Sequence, residues 1–115
     1  MIRKSQDMRK ETRENMRGGP GAVEITHLLS KEDFTARLRL CGKLTLKPGA
    51  GIGLHEHEGE DEIYIITKGS GVVDEGDGEK PVQAGDAVLT GNGAGHSVRN
   101  TGTDDMEIIA IIILY

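Results

Sequence analysis

GAGIGLHEHEGEDEIYIITKG, residues 49–69, is the stretch whose reading decides the fold. In an extended strand successive side chains point to opposite faces, so His55 and His57 project from one face while Glu56 points away. The chain is then expected to turn through Glu58, Gly59, Glu60 and Asp61 and to enter a second strand at Glu62. There Glu62, Tyr64 and Ile66 share one face, and Ile63 and Ile65 take the other. With the first of these faces turned inward, a carboxylate arrives beside two imidazoles. A third imidazole, His96, follows 34 residues after Glu62 in GNGAGHSVRN, residues 91–100.

Neutral imidazole nitrogens with one carboxylate oxygen suit a divalent ion such as manganese, iron, nickel, cobalt, zinc or copper. No thiolate stands near them, which argues against a structural zinc knuckle. His55, His57, Glu62 and His96 therefore form the candidate ligand set for one divalent metal ion per chain. Four donors leave two positions of an octahedral ion open, the arrangement used for Lewis-acid polarisation. Nothing around His27, the fourth histidine, resembles a ligand set, and it is assigned to packing or surface hydrogen bonding. Of the acidic run, Glu56, Glu58, Glu60 and Asp61 read as a solvated loop, and Glu62 is set apart by the strand it begins.

Two motifs carry a resemblance to a known family. The first reads Gly49, five residues, His55, one residue, His57, four residues, Glu62, six residues, Gly69; the second reads Gly85, five residues, Gly91, one residue, Gly93, two residues, His96, three residues, Asn100. They resemble the two cupin motifs, with Gly91 where the second motif usually has Pro, a change that loses a pre-set turn but no ligand. The resemblance implies an all-β fold, the double-stranded β-helix (jelly-roll) barrel, holding a metal in its interior, with manganese or iron favoured. Within the cupins the acid-rich first motif looks most like small bacterial or archaeal members near the oxalate decarboxylases. Those carry an Arg three positions before the first His to grip the substrate carboxylate, and here that place is Ile52. The acid of their mobile lid has no motif-matched counterpart in this chain.

The expected function is therefore binding or transforming a small, oxygen-rich, carboxylate-type anion at the metal. Decarboxylation, oxidation and dioxygenation are the candidate reactions. A non-catalytic binding or sensing module, or a barrel merely braced by its metal, is the alternative, since one fold hosts unrelated chemistries. Arg39, Arg37, Arg99 and Arg17 are candidates to supply the cation missing at Ile52. Arg39 is the best placed, although Leu38 and Leu40 are expected to form the inward face of its strand. Tyr64, two residues past Glu62 on the same face, either hydrogen-bonds a ligand or packs. Arg39 and Tyr64 are accordingly the catalytic candidates.

The residue pattern is all-β independently of the motifs. Turn signals recur at Pro48-Gly49, Lys68-Gly69, Gly76-Asp77-Gly78, Gly85-Asp86, Gly91-Asn92-Gly93 and Thr101-Gly102, with short apolar or alternating runs between them. Gly51 and Gly53, just before the histidine pair, are expected to leave room at a pocket wall. At 115 residues the chain has room for one barrel. No apolar run approaches the ~20 residues that span a bilayer, and the N-terminus is polar, so a cytoplasmic protein that does not enter membranes is expected. The single Cys41 cannot make an internal disulfide and fits a packing role in a reducing compartment.

Charge divides the chain unevenly: residues 1–17 hold six Lys or Arg against three acids, and residues 18–115 hold eight against sixteen. A barrel this acidic repels phosphates, and the chain lacks base-stacking aromatics, so no nucleic-acid partner is expected. Residues 1–21 are read as an N-terminal arm and hinge and residues 22–115 as the barrel domain. The segment IRKSQDMRKETRENM has no Gly or Pro, so it forms either a short helix or a disordered arm, and Arg17-Gly18-Gly19-Pro20-Gly21 is the hinge. Near the C-terminus the run from Ile108 to Tyr115 is almost continuously apolar. It predicts burial on both faces, one in the barrel and one in a homodimer interface.

Overall fold

Ten short segments, most of them alternating apolar and polar side chains, pair into two antiparallel sheets. The computed structural model describes residues 1–115. Its strands are β1 (Arg9–Glu14), β2 (Ala22–Leu29), β3 (Leu38–Leu46), β4 (Gly51–Glu56), β5 (Glu60–Lys68), β6 (Ser70–Asp74), β7 (Glu79–Gln83), β8 (Ala87–Gly91), β9 (Gly95–Asn100) and β10 (Met106–Leu114). One sheet has the order β1-β2-β3-β10-β5-β8 and the other β4-β9-β6-β7. This is the expected double-stranded β-helix. Val23, Ile25, Leu44, Leu46, Ile66, Val98, Met106 and Ile108, each at most 2 % exposed, meet between the sheets. They fill the closed end of the barrel and leave the space beside the histidines open.

The N-terminal segment is neither helical nor detached. Residues 9–14 pair with β2, Glu11 opposite Ile25 and Arg13 opposite Val23, and single 3-10 turns occupy Ser5–Asp7 and Met16–Gly18. Helix propensity over so short a segment is worth little, whereas the free edge of β2 offers a full set of backbone partners. Arg9, Glu11 and Arg13 then share one face of the strand. Glu11 binds both guanidiniums, at 2.8 and 2.7 Å, and meets the Nε2 atom of His27 on β2 at 2.8 Å. His27 is thus a hydrogen-bonded residue outside the ligand set, as read from the sequence.

At the other end, β10 buries Met106, Ile108, Ala110 and Ile112 in the core. Its other face is not covered by this chain: Ile109 and Ile111 are half-buried and Ile113 is exposed. Burial on both faces is therefore not achieved within one copy. In β3 the inward face carries Leu40, Leu44 and Leu46, with Leu40 half-buried and the others buried, while Leu38, expected on the same face, stands opposite Ile113 of the outer face. A bulge skips Arg39, because Ile112 stands opposite Leu40 and Ile113 opposite Leu38, and an extra residue of this kind re-aims its side chain. Strand β5 begins at Glu60, two residues before the expected start. No helix of the chain is long and apolar enough to cross a membrane.

The Glu11 carboxyl is held at about 2, first by the hydrogen bond with His27 and then by those from Arg13 and Arg9. A depressed carboxyl stabilises the fold above its ordinary titration range and loses that contribution as pH falls toward the folded value. Glu11→Gln should therefore lower the Tm at pH 7, and the gap from the parent should close as pH falls from about 4.5 to about 2. Thermal melts of both proteins across that range check it; a gap independent of pH would contradict the role given to Glu11.

Candidate metal centre

His55 lies on β4 and His96 on β9, directly opposite each other in the register. His57 follows β4 and is held by backbone hydrogen bonds, its N–H donating to Ala94 O at 3.0 Å and its carbonyl accepting from Gly93 N at 2.9 Å. Glu62 comes from β5 in the facing sheet, on the same inward face as Tyr64 and Ile66, as the alternation requires. Both sheets thus contribute to one point near the open end of the barrel. His57 and His96 are each 1 % exposed and Glu62 4 %.

The four side chains present one ligand atom each to a common centre, all within 4.8 Å of one another. His57 Nε2 is 3.0 Å from His96 Nε2, and His96 Nε2 is 3.1 Å from His55 Nε2. Glu62 Oε1 is 3.0 Å from His57 Nε2, 2.9 Å from His96 Nε2 and 3.9 Å from His55 Nε2. With metal–ligand bonds of about 2.1 Å, neighbouring ligands of an octahedral ion lie about 3.0 Å apart, opposite ones about 4.2 Å, and tetrahedral neighbours about 3.4 Å. The four short distances match octahedral neighbours, and the long one approaches an opposite pair.

Proton counting supports the same fit. His55 Nδ1 lies 2.7 Å from Gly53 O, and His57 Nδ1 lies 2.8 Å from Glu60 Oε1. Both partners can only accept, so both Nδ1 atoms donate, and in the neutral ring Nε2 is then left as a lone pair. Only His96, whose Nδ1 is buried without a partner, can turn a proton inward. One proton cannot satisfy five contacts, and a cation bound by all four atoms can. Burial pushes the Glu62 carboxyl up, and only positive charge placed among His55, His96 and His57 outweighs it and brings it down to about 2, which is what a cation at the centre would supply.

Glu60, assigned from sequence to a solvated loop, is instead 8 % exposed. Its carboxylate accepts from Arg39 Nε at 2.9 Å and from Arg39 NH2 at 2.7 Å while also accepting from His57 Nδ1. The Arg39 pair first, and His57 as well, hold Glu60 below the usual carboxylate range against the effect of burial. Arg39 reaches it because of the bulge in β3. The guanidinium expected to serve as a free substrate cation is thus spent on fixing the tautomer of His57. Asp61 is also engaged, accepting a hydrogen bond from the Tyr115 hydroxyl, which in turn accepts from Asn92 N–H at 3.1 Å.

Tyr64 is 1 % exposed and stacks on His96, with ring centroids 4.8 Å apart and planes at 18°. Burial, then the charge of Glu62, raises its hydroxyl well above 10. The centre opens into a cavity of about 130 Å³ lined by Ile52, Leu44, Tyr64, Arg39, Arg13 and Arg17, among others. Drug-sized ligands take pockets of about 300–1,000 Å³, so this one suits a molecule of a few heavy atoms. Arg37 and Arg99 do not line it; Arg99 faces Glu79 at 3.3 Å. Gly51 and Gly53 leave room not for a ligand but for backbone: a Cβ at Gly53 would collide with the carbonyl oxygen of Arg17 in the N-terminal chain, and one at Gly51 with the carbonyl oxygen of Val98 on β9. Cys41 is half-buried and free, and burial raises its thiol.

If Glu60 holds His57 in place, Glu60→Ala should weaken metal binding by about 10–100-fold while the barrel stays folded. Competition with a chromophoric chelator measures the affinity, and circular dichroism the fold. An unchanged affinity would mean that the hydrogen bond does nothing for the centre.

The family model for the cupin domain matches residues 42–112. An oxalate-binding protein of Thermotoga maritima is 46 % identical over 114 residues, spanning 99 % of this chain and 94 % of that protein. The crystal structure of a predicted oxalate decarboxylase from the same organism superposes with a TM-score of 0.94 at 46 % identity, over 100 % of both chains. The polyketide cyclase RemF of Streptomyces resistomycificus shares the fold, with a TM-score of 0.76 at 15 % identity over 99 % of this chain and 80 % of its own.

Proposed function

This chain belongs to the cupin family, and from that premise we propose that it binds a small carboxylate at a divalent metal held by His55, His57, Glu62 and His96. The observation that carries the reading is the convergence of those four ligand atoms, with the protons of His55 and His57 turned outward. A divalent ion there would supply Lewis-acid attraction for carboxylate oxygens. Manganese or iron is favoured, because nitrogen and oxygen donors in an octahedral arrangement suit them; zinc, nickel, cobalt and copper accept the same donors. The Thermotoga protein described as oxalate-binding supports a small anionic ligand for this chain too.

The chain's own residues divide the work. Glu60 and Arg39 hold His57, Gly53 O holds His55, and Tyr64 holds the plane of His96 by stacking. Ile52 and Leu44 give the cavity an apolar wall beside the centre, which lowers the local dielectric and strengthens charge interactions there. Tyr64 borders the bound ligand, and Arg39 acts on it through Glu60 and His57. Binding is favoured over turnover by one observation: Ile52, 2 % exposed and in the cavity wall, stands where the related decarboxylases place an arginine. Decarboxylation, oxidation or dioxygenation is the alternative reading.

Elemental analysis of protein purified without added metal should find about one divalent ion per chain, lost in His96→Ala. Calorimetry of the loaded protein should then show oxalate binding. A chain that takes up no metal after reconstitution would sink the reading.

We place the protein in the cytoplasm as a homodimer. Its outer sheet face carries Ile63, Ile65, Leu89, Ile109, Ile111 and Ile113, with Leu89 66 % and Ile65 40 % exposed, on three neighbouring strands. A continuous apolar surface of this kind marks an interface, and a second copy presents the same face to it across a two-fold axis. Light scattering should give twice the 12.4 kDa chain mass, falling to one chain mass in Ile111→Lys. A monomer at micromolar concentration would overturn this assignment.

A further inference from the structure

We infer that Arg17 is the specificity-determining cation of the cavity, meeting the second carboxylate of a small dianion whose first carboxylate is held at the four-ligand centre. This rests on the carboxylate reading above and narrows it to dianions.

The first support is the balance of charge. Three arginines line the cavity, Arg13, Arg17 and Arg39. Arg13 shares Glu11 and Arg39 shares Glu60, so each is already opposed by a carboxylate. No carboxylate lies within ion-pair distance of Arg17, and its side chain has no hydrogen-bond partner within the chain. A divalent ion with Glu62 leaves one positive charge at the centre, and Arg17 adds a second at the wall. Two positive charges on the lining of one small cavity fit two negative ones, and a monoanion would leave one charge unanswered.

The second support is the way the chain is built to hold Arg17 there. Residues Asn15–Gly21 form a strap closed by hydrogen bonds from Asn15 N to Gly21 O at 2.8 Å and from Asn15 Nδ2 to Gly19 O at 3.2 Å. It is fastened to β4 by Gly51 N donating to Pro20 O at 2.8 Å. Arg17 has φ +53° and ψ +29°, a left-handed conformation that costs a non-glycine residue energy and persists only where the surroundings enforce it. Its carbonyl packs against the bare Cα of Gly53. The Gly53 carbonyl in turn accepts from His55 Nδ1. The strap therefore fixes the backbone of Arg17, an exposed residue among those that line the cavity, against Gly53, whose carbonyl orients His55, and no carboxylate of the chain pairs with its side chain. Arg3, Arg9, Lys10 and Arg13 of the same segment each meet a carboxylate of Asp33, Glu24 or Glu11, whereas Arg17 meets none, and Lys4, which also meets none, lies away from the cavity.

The test compares oxalate with glycolate, which has the same carbon skeleton and one charge fewer. Isothermal titration calorimetry is run on the metal-loaded full chain, and metal content is measured again after each titration because oxalate is itself a chelator. The parent should bind oxalate more tightly than glycolate. Arg17→Gln should lose about tenfold or more in oxalate affinity and less than about threefold in glycolate affinity, at unchanged metal content and Tm. Arg17→Lys should recover part of the oxalate affinity, since it restores the charge without the fork. An Arg17→Gln protein that keeps the parental ratio, or that loses its metal, would overturn the inference while leaving the carboxylate reading intact. A parent that binds neither acid would overturn that reading and this inference with it.

Discussion

Four ligand atoms that repel one another in the absence of a shared cation are brought together in a space from which water is nearly excluded, and the geometry of the barrel mouth follows from that. Three imidazole nitrogens and a carboxylate oxygen, with four of their separations at 2.9–3.1 Å and one at 3.9 Å, are costly neighbours unless something positive lies between them. Holding them there requires His55 and His96 to be opposed in the β4–β9 ladder, His57 to be tied through its backbone to the Gly93–Ala94 turn, and Glu62 to cross from the other sheet. The apolar layer of Val23, Ile25, Leu46, Ile66, Val98 and Met106 makes that possible by locking the two sheets face to face. A one-residue slip of β5 would send Glu62 outward with the whole inward set.

Around the centre, charged residues are used in pairs that serve orientation more than stability. Arg39 and Glu60 form a bidentate pair whose carboxylate also aligns His57. Glu11 gathers Arg9, Arg13 and His27 and docks β1 along the cavity rim. Exposed pairs such as Arg99 with Glu79 contribute little to stability. The short strap from Asn15 to Gly21 belongs to the same mouth, because its backbone lies directly on Gly51 and Gly53. An N-terminal segment that looks detachable by composition is thus one wall of the cavity.

That His55, His57, Glu62 and His96 would gather was legible in the sequence: residues two apart in a strand share a face, and the two motifs resemble a pair that brings three histidines and a glutamate together. Tyr64 was legible for the same reason. Glu60 was not: alternation puts it on the face of Glu62, but the acidic run conceals that the strand already begins there, and its role depends on Arg39, 21 residues away in the chain and re-aimed by a bulge that no local pattern announces. The part played by Gly53 was hidden too, because what it admits is the backbone of a remote segment. Residues 9–14 form a strand through the vacant edge of β2, a tertiary cause, although the alternation Arg9, Glu11, Arg13 is a period-two signal that could have been read. The apolar outer face of β10 was visible in sequence, but one copy of the chain buries only its inner half.

The central claim is that these four atoms surround one cation. Diffraction from a crystal of the manganese-loaded protein, with anomalous data collected on both sides of the metal edge, tests it most directly. A single anomalous peak per chain is expected, about 2.1 Å from Nε2 of His55, His57 and His96 and from a Glu62 oxygen. A peak elsewhere, or none between the four side chains in a crystal grown with excess metal, would contradict it.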